Sequence, residues 1–523
     1  MKKKLLPLAM LAGLAGVAST AQAVYLNTDG LGETLVYPFY TVESGQNTYV
    51  NVTNTTDYYK AVKVRFLEGE NSQEVLDFNL YLSPHDVWTG AIVPVGETGA
   101  KIITRDNSCT VPYIQRPDAT GAGADGIEFR DFQYTAGTSP DPSDPSGSLQ
   151  GDGGTQDLTR TREGYIEIIE MGAIIDTDMQ EDIIHDSNGK PAGCDNIRAN
   201  WLANGVTPSA TSANFENPAD VTGTGVWLAD ASVGFAEQAD HDTLYRLGGL
   251  YGYGVLINPA EGSGSAYNAK ALDQFFGAAQ VDGVYNSQHT NPGTVLPSMG
   301  SAYTVAQIID GNQVVDSLFA DGWDAVSSVF MHDTLSNDFV LDMAVNADTD
   351  WVITMPTKRN YVNGAGAPVA PFTEAWAGGA ACEVLSLEGW DREEAVTELT
   401  GDIDFSPRPP AAAGPDDFAI CTEVNVLTFG DASAVHPSTR IRYGVPDLGF
   451  ENGWARLDFS VDGGGATRQL VDDEAPGFET TFVGLPITGF AVQKFINGSM
   501  EGGTLANYAW LVEHSYTRDI TVP

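Results

Sequence analysis

Lys60-Ala-Val-Lys-Val-Arg-Phe66 and, after a short turn, Leu76-Asp-Phe-Asn-Leu-Tyr-Leu82 decide the fold class. In the first, Val62, Val64 and Phe66 alternate with Lys63 and Arg65. In the second, Leu76, Phe78, Leu80 and Leu82 alternate with Asp77, Asn79 and Tyr81. Successive side chains of a strand point to opposite sides, so this period of two predicts strands with one buried face. Asn54-Thr-Thr-Asp57 and Glu68-Gly-Glu-Asn71 are polar turn clusters between these strands and the one at residues 49–52. Short strands spaced by such turns predict a sandwich.

Strand character returns at residues 164–171 and 252–258. It returns again at 327–331, 351–355, 423–429, 454–461, 487–495 and 508–516. The expected fold is mainly β: two Ig-like β-sandwich domains, at 24–260 and 321–523. A partly helical connection at 261–320 joins them, with short helices over 266–276 and 303–309 in an Ala- and Ser-rich stretch. Residues 117–157 are rich in Gly, Pro, Asp and Ser and read as a flexible insert, within which the apolar island Ile127 to Tyr134 docks locally. A Pro-rich insert occupies about 400–416. Each half thus carries strands, an insert inside a cysteine pair, and more strands, which suggests a pseudo-repeat.

The chain opens with Lys2, Lys3 and Lys4, an apolar run from about Leu5 to Val17, and Ala21-Gln-Ala23. This is the layout of a secretory signal cleaved after Ala23. The run is shorter than the ~20 residues of a spanning helix. No later run is long and apolar enough to span as a helix, and irregular strand spacing argues against an outer-membrane barrel. The expected location is extracellular or at the cell surface, with the periplasm as the alternative.

The four cysteines, Cys109, Cys194, Cys382 and Cys421, suit disulfides in an exported chain. Of the three connectivities, proximity favours Cys109–Cys194 and Cys382–Cys421. Charge narrows the partners. Without the leader's three lysines, 23 basic residues face 70 acidic ones, a net charge of −47. A field this negative repels nucleic acid and anionic membranes. Solvation in a salty medium is the plain reading of the acidity, and divalent-cation binding the sharper one. Candidate calcium ligands are Asp176, Asp178 and Asp182, and Asp348 and Asp350, although neither cluster completes an EF-hand. No other cofactor is indicated.

The segments at 35–42, 61–69, 76–88, 349–359 and 484–495, among them Thr349-Asp-Trp-Val-Ile-Thr-Met-Pro-Thr-Lys-Arg359, resemble a set of exported proteins of Gram-negative bacteria that have no assigned activity. The resemblance runs the length of the mature chain. It implies export and a shared fold, and carries over no catalytic residue.

Catalytic motifs are incomplete. Gly121-Ala-Gly-Ala-Asp-Gly126 has loop on both flanks, where a dinucleotide site needs a strand and a helix. Glu163, Glu167 and Glu170 look like an acid/base set, but on a strand Glu167 and Glu170 diverge. Four of the seven histidines precede an aspartate: His85-Asp86, His185-Asp186, His241-Asp242 and His332-Asp333. Adjacent strand residues diverge too, so turn positions are the simpler reading. The 51 aromatic residues, with Trp88, Trp351 and Trp454 in strand patterns, are assigned to packing. The leading expectation is a non-enzymatic surface, matrix or adhesive protein, with self-assembly or a cell-surface partner. Alternatives are a carbohydrate- or calcium-binding protein, marked by exposed aromatics or a carboxylate cage, and a hydrolase with an unrecognised site, marked by a deep pocket.

Overall fold

The computed structural model describes residues 23–117, 120–121, 123–136, 151–174, 177–199, 235–236, 247–276, 289–290, 292–364, 366–399, 418–499 and 505–523. Of the expected leader only Ala23 is among them. The expected insert at 400–416, Asp176 and the His241-Asp242 pair lie outside them.

Twenty strands carry the architecture. The first ten are β1 (Thr34–Thr41), β2 (Asn47–Asn54), β3 (Tyr59–Glu68), β4 (Glu74–Leu82), β5 (Val87–Val95), β6 (Gly99–Ile103), β7 (Glu163–Ile174), β8 (Leu250–Asn258), β9 (Ser263–Asn268) and β10 (Lys270–Asp273). The second ten are β11 (Thr334–Val340), β12 (Ala347–Thr354), β13 (Ser386–Asp391), β14 (Val396–Leu399), β15 (Val424–Phe429), β16 (Arg442–Val445), β17 (Asn452–Asp458), β18 (Thr488–Ser499), β19 (Leu505–Glu513) and β20 (Ser515–Thr517). The first set forms sheets of order β10-β1-β7-β3-β4 and β9-β8-β2-β5-β6. The second forms β20-β11-β17-β13-β14 and β19-β18-β12-β15-β16. Each strand of the first set thus has the place of the strand ten numbers later. The one departure is that β15 and β16 run parallel where β5 and β6 run antiparallel. Short strands at Tyr25–Leu26 and Cys109–Val111 extend the first sheet, and Ile127–Glu128 extends the second. No sheet among the described residues closes into a barrel, and no described helix is long and apolar enough to cross a membrane.

The repeat reaches single hydrogen bonds. Thr48, second in β2, donates its hydroxyl to the Thr41 carbonyl at 2.9 Å and accepts from the Thr41 N–H at 2.9 Å. Thr349, third in β12, makes the same clasp on Val340, at 2.9 and 3.0 Å. Each clasp closes the crossover from one sheet to the other. The disulfides break the symmetry. They join Cys109 to Cys194 and Cys382 to Cys421, the connectivity that proximity favours, but the first encloses β7 and the second encloses β13 and β14.

The two sets share one core. It runs from Val36, Val64 and Trp88 through Val352, Val424, Val426, Phe490 and Val492. Trp351, Ile353, Leu427, Phe429 and Ala491, on the other side of the same strands, pack in a second core with Leu335, Leu387 and Leu457. The sheet containing β12 is therefore buried on both faces, which is why 351–355 and 424–429 read as nearly unbroken apolar runs. Equivalent edge strands, β9 and β19, meet at the seam, as equivalent patches meet in a two-fold dimer. There Tyr267 stacks on Phe490 with centroids 4.8 Å apart.

Three expectations are corrected. Residues 266–276 and 303–309 are not helices. The first lies in β9 and β10, and the second forms a hairpin, Val305–Asp310 with Gln313–Leu318. Ser265, Tyr267, Ala269 and Ala271 are buried while Ala266 and Asn268 are exposed, so pairing with β8 and burial at period two outweigh alanine's helix propensity. Within 261–320 the described strands are β9, β10 and this hairpin, and β9 and β10 complete the sheets of the first set. Conversely, residues 327–330 end a helix, α1 (Gly322–Phe330), rather than forming a strand. Asp321 caps it by accepting the Asp324 N–H at 3.0 Å, and Ala325, Val326, Val329 and Phe330 make its buried stripe. Finally, β3 and β4 are buried on both faces, Lys60, Lys63 and Arg65 included.

The described parts of 117–157 are anchored. Phe129 and Tyr134 enter the shared core. The Arg160 guanidinium pairs with Glu68 at 2.6 Å and Asp152 at 2.6 Å and lies 4.4 Å from the Tyr134 ring.

Candidate functional site

The acidic residues that suggested catalysis hold the fold together. Glu167 meets Arg65 at 2.5 Å, and Arg65 also meets Glu74 at 2.7 Å. Glu170 meets Lys60 at 2.7 Å and accepts the Gly248 N–H at 2.8 Å. Glu163 accepts the Ser438 N–H at 3.0 Å across the seam, and burial raises its pKa to about 7. Each of the three is held by partners of its own. Charges removed from water need such partners, or they neutralise.

The other candidates are also engaged. Asp350 is buried, which raises its pKa, and it accepts from Ser433 at 2.5 Å and from the Val435 N–H at 2.8 Å. Asp348 is raised by partial burial, against the pull of Lys494 and His436. Asp182 accepts from Asn196 at 2.9 Å, and Asp178 sits in the first turn of the helix Thr177–Ile183. No group of three or more His, Cys, Asp or Glu able to hold a metal exists among the described residues. His85 meets Asp57 at the surface, at 2.9 Å. His185 Nδ1 lies 3.7 Å from Asp86, the one place among the described residues where two His-Asp pairs approach each other. Among the described residues, no hydroxyl or thiol is hydrogen-bonded to His185, while Ser83 and Ser108 bond Asp86 instead.

A cleft of about 330 Å³ opens at the seam, lined by Lys270, Phe330, His332, Thr488, Glu513 and Tyr516 among others. Lys270 pairs with Glu513 at 3.1 Å. The His332 ring stacks on Tyr516 at 4.2 Å, and burial holds its pKa well below the usual range, with Arg518 adding to the effect. Burial takes His514 down to about 3. Both imidazoles are therefore neutral, and among the described residues no carboxylate pairs with His332. The cleft has the size of a small-molecule site, and its charged lining residues are the paired Lys270 and Glu513.

The outer face of β9-β8-β2-β5-β6 is of another kind. Along β8, Tyr251, Tyr253, Val255 and Ile257 point outward, with Tyr251 40 % and Tyr253 36 % exposed. The glycines between them point inward. A β-carbon at Gly252 would strike the Tyr37 hydroxyl, and one at Gly254 the Tyr267 ring. Register places Thr53, Asn51, Tyr49 and Asn47 of β2 beside this row, and Val87, Thr89, Ala91 and Val93 of β5 beyond them. Ala266 and Asn268 of β9 flank the other side, and Ile103 and Lys101 of β6 close the far edge. Tyr49 and Tyr253 lie 6.5 Å apart by centroid. Asn51 is held in place: its side-chain oxygen accepts the Tyr253 N–H at 2.9 Å. The charged members are Lys101 and, at the corner, its strand neighbour Glu128. On the outer face of β17 and β13, by contrast, Trp390 and Trp454 stack at 4.1 Å beneath Arg456, which pairs with Glu388.

Sequence reasoning located strand 252–258 but assigned aromatics to packing by default. The signal was present in Tyr251-Gly-Tyr-Gly254: bulk on one side of a strand and none on the other. No family model matches the chain, and no similar protein is found among curated sequences or solved structures.

Proposed function

We propose that the chain is an exported, non-enzymatic surface or adhesive protein, built as two Ig-like sandwiches fused along one core, which attaches through the outer face of β9-β8-β2-β5-β6. The observation that carries this reading is that face: nearly uncharged and tyrosine-bearing, with Tyr251, Tyr253, Ile257 and Val87 exposed, on a chain of net charge −44. Exposed apolar side chains gathered on one face are a mark of interaction surfaces. The two disulfides fit an oxidising compartment. The buried carboxylates, each tied to fold partners, favour a scaffold over a hydrolase. Because the one carboxylate among the described residues of this face is the corner Glu128, attachment is expected to be independent of calcium.

The test is recovery of native protein separately from medium, sheared cell surface and periplasm, with and without a calcium chelator. Protein retained on the surface through chelation is the expected result. A freely soluble periplasmic monomer would contradict the proposal.

A further inference from the structure

We infer that the partner of this sheet face is a neutral polysaccharide; the inference rests on the attachment reading and names what is attached to. The argument starts from charge. The chain has 70 acidic residues against 26 basic ones, yet the four rows spanning β9, β8, β2, β5 and β6 carry one lysine and one corner glutamate. A cationic partner would be drawn to the acidic surface elsewhere, and an anionic one would be repelled by the whole field. A second copy carries the same net charge of −44 and is repelled as a whole. The surface is matched to a partner without charge.

The side chains narrow the chemistry. Tyr251, Tyr253 and Tyr49 offer ring faces to C–H-rich surfaces and hydroxyls to polar ones, the amphipathic pairing that suits a sugar ring. Asn47, Asn268, Thr53 and Thr89 flank them in the cross-strand rows, with the buried Asn51 holding the Tyr253 backbone from below. Amides and hydroxyls both donate and accept, as sugar hydroxyls do. The platform is also rigid. The inward glycines seat Tyr37 and Tyr267, whose hydroxyls bond the carbonyls of Asn51 and Phe39, so little ordering is required on binding.

The experiment is native electrophoresis through gels cast with dextran, soluble starch or galactomannan, and with alginate as the anionic comparison. Wild-type protein is expected to be retarded by at least one neutral polymer, equally at low and high salt, and not by alginate. Tyr251→Ala/Tyr253→Ala is expected to raise the dissociation constant at least tenfold at an unchanged melting temperature, as exposed aromatic anchors do. Trp454→Ala, on the other set's outer face, is expected to leave binding unchanged. Failure of every neutral gel, or retardation that the double tyrosine variant keeps, overturns the inference. If the double variant detaches from cells while no neutral gel retards the wild type, the polysaccharide is wrong and the attachment face stands. If light scattering finds a dimer that the double variant loses, the occupant is a second copy and the inference falls. If the variant stays on cells and no gel responds, both readings fall.

Discussion

Lys63 and Arg65 alternate with Val62, Val64 and Phe66, and alternation usually means a solvated side. Here that side is covered, and Asp77, Glu74 and Glu167 neutralise the cations from neighbouring strands. Sequence shows the period but not the partners, which lie up to 102 residues away. Removing one member of such a cluster leaves unpaired buried charge. Arg160→Met strands Glu68 and Asp152 and is expected to cost about 3–5 kcal/mol in urea unfolding. Glu33 provides a pH test. It accepts the Phe276 N–H at 3.1 Å, and burial beside Glu170 and Asp273 raises its pKa to about 8. A carboxyl raised on folding binds its proton more tightly in the folded state. Its contribution is full below the unfolded value and is lost as pH rises through the folded one. Glu33→Gln is expected to match wild type near pH 5 and to exceed it at pH 8, by on the order of 2–4 kcal/mol. Equal pH profiles in denaturant titrations would refute this.

The elements that sequence located best were those that alternate over a full strand, such as β3, β4 and β17. Those it missed were decided by signals outside the window. For α1, the deciding residue is Asp321, six positions before the apolar run misread as a strand. Its cap on the Asp324 N–H starts the helix and sets Val326, Val329 and Phe330 on one buried side. Asp321→Ala is expected to lower stability by about 1 kcal/mol, visible as a small drop in melting temperature. For β9, alanine content suggested a helix, and only the register against β8 reveals that Ser265 and Tyr267 face inward together. The tyrosine face was hidden for a related reason: one strand's pattern does not say which side meets water.

At the scale of the molecule, the pseudo-repeat was visible in the alternation of strands and inserts, but its precision was not. Strand order is set by pairings between distant segments, such as β7 inserted between β1 and β3. What joins the halves was equally hidden. Val424 donates its N–H to the Gly69 carbonyl at 2.9 Å, Thr354 donates to the Pro38 carbonyl at 2.5 Å, and Val352 and Phe490 complete the first set's core. Two sets that share a core this extensively are expected to unfold together. Calorimetry is expected to give one transition, with equal calorimetric and van't Hoff enthalpies, where independent domains would give two.

A rigid body of this kind presents its tyrosine face as a fixed surface, and the central claim is that this face is what attaches. Tyrosine nitration of the native protein, on intact cells and after release, tests that claim most directly. The account predicts that Tyr251 and Tyr253 are protected on cells and modified once released, while Tyr508, 56 % exposed on the second set, reacts alike in both. Equal modification of Tyr251 and Tyr253 in the two states would contradict it.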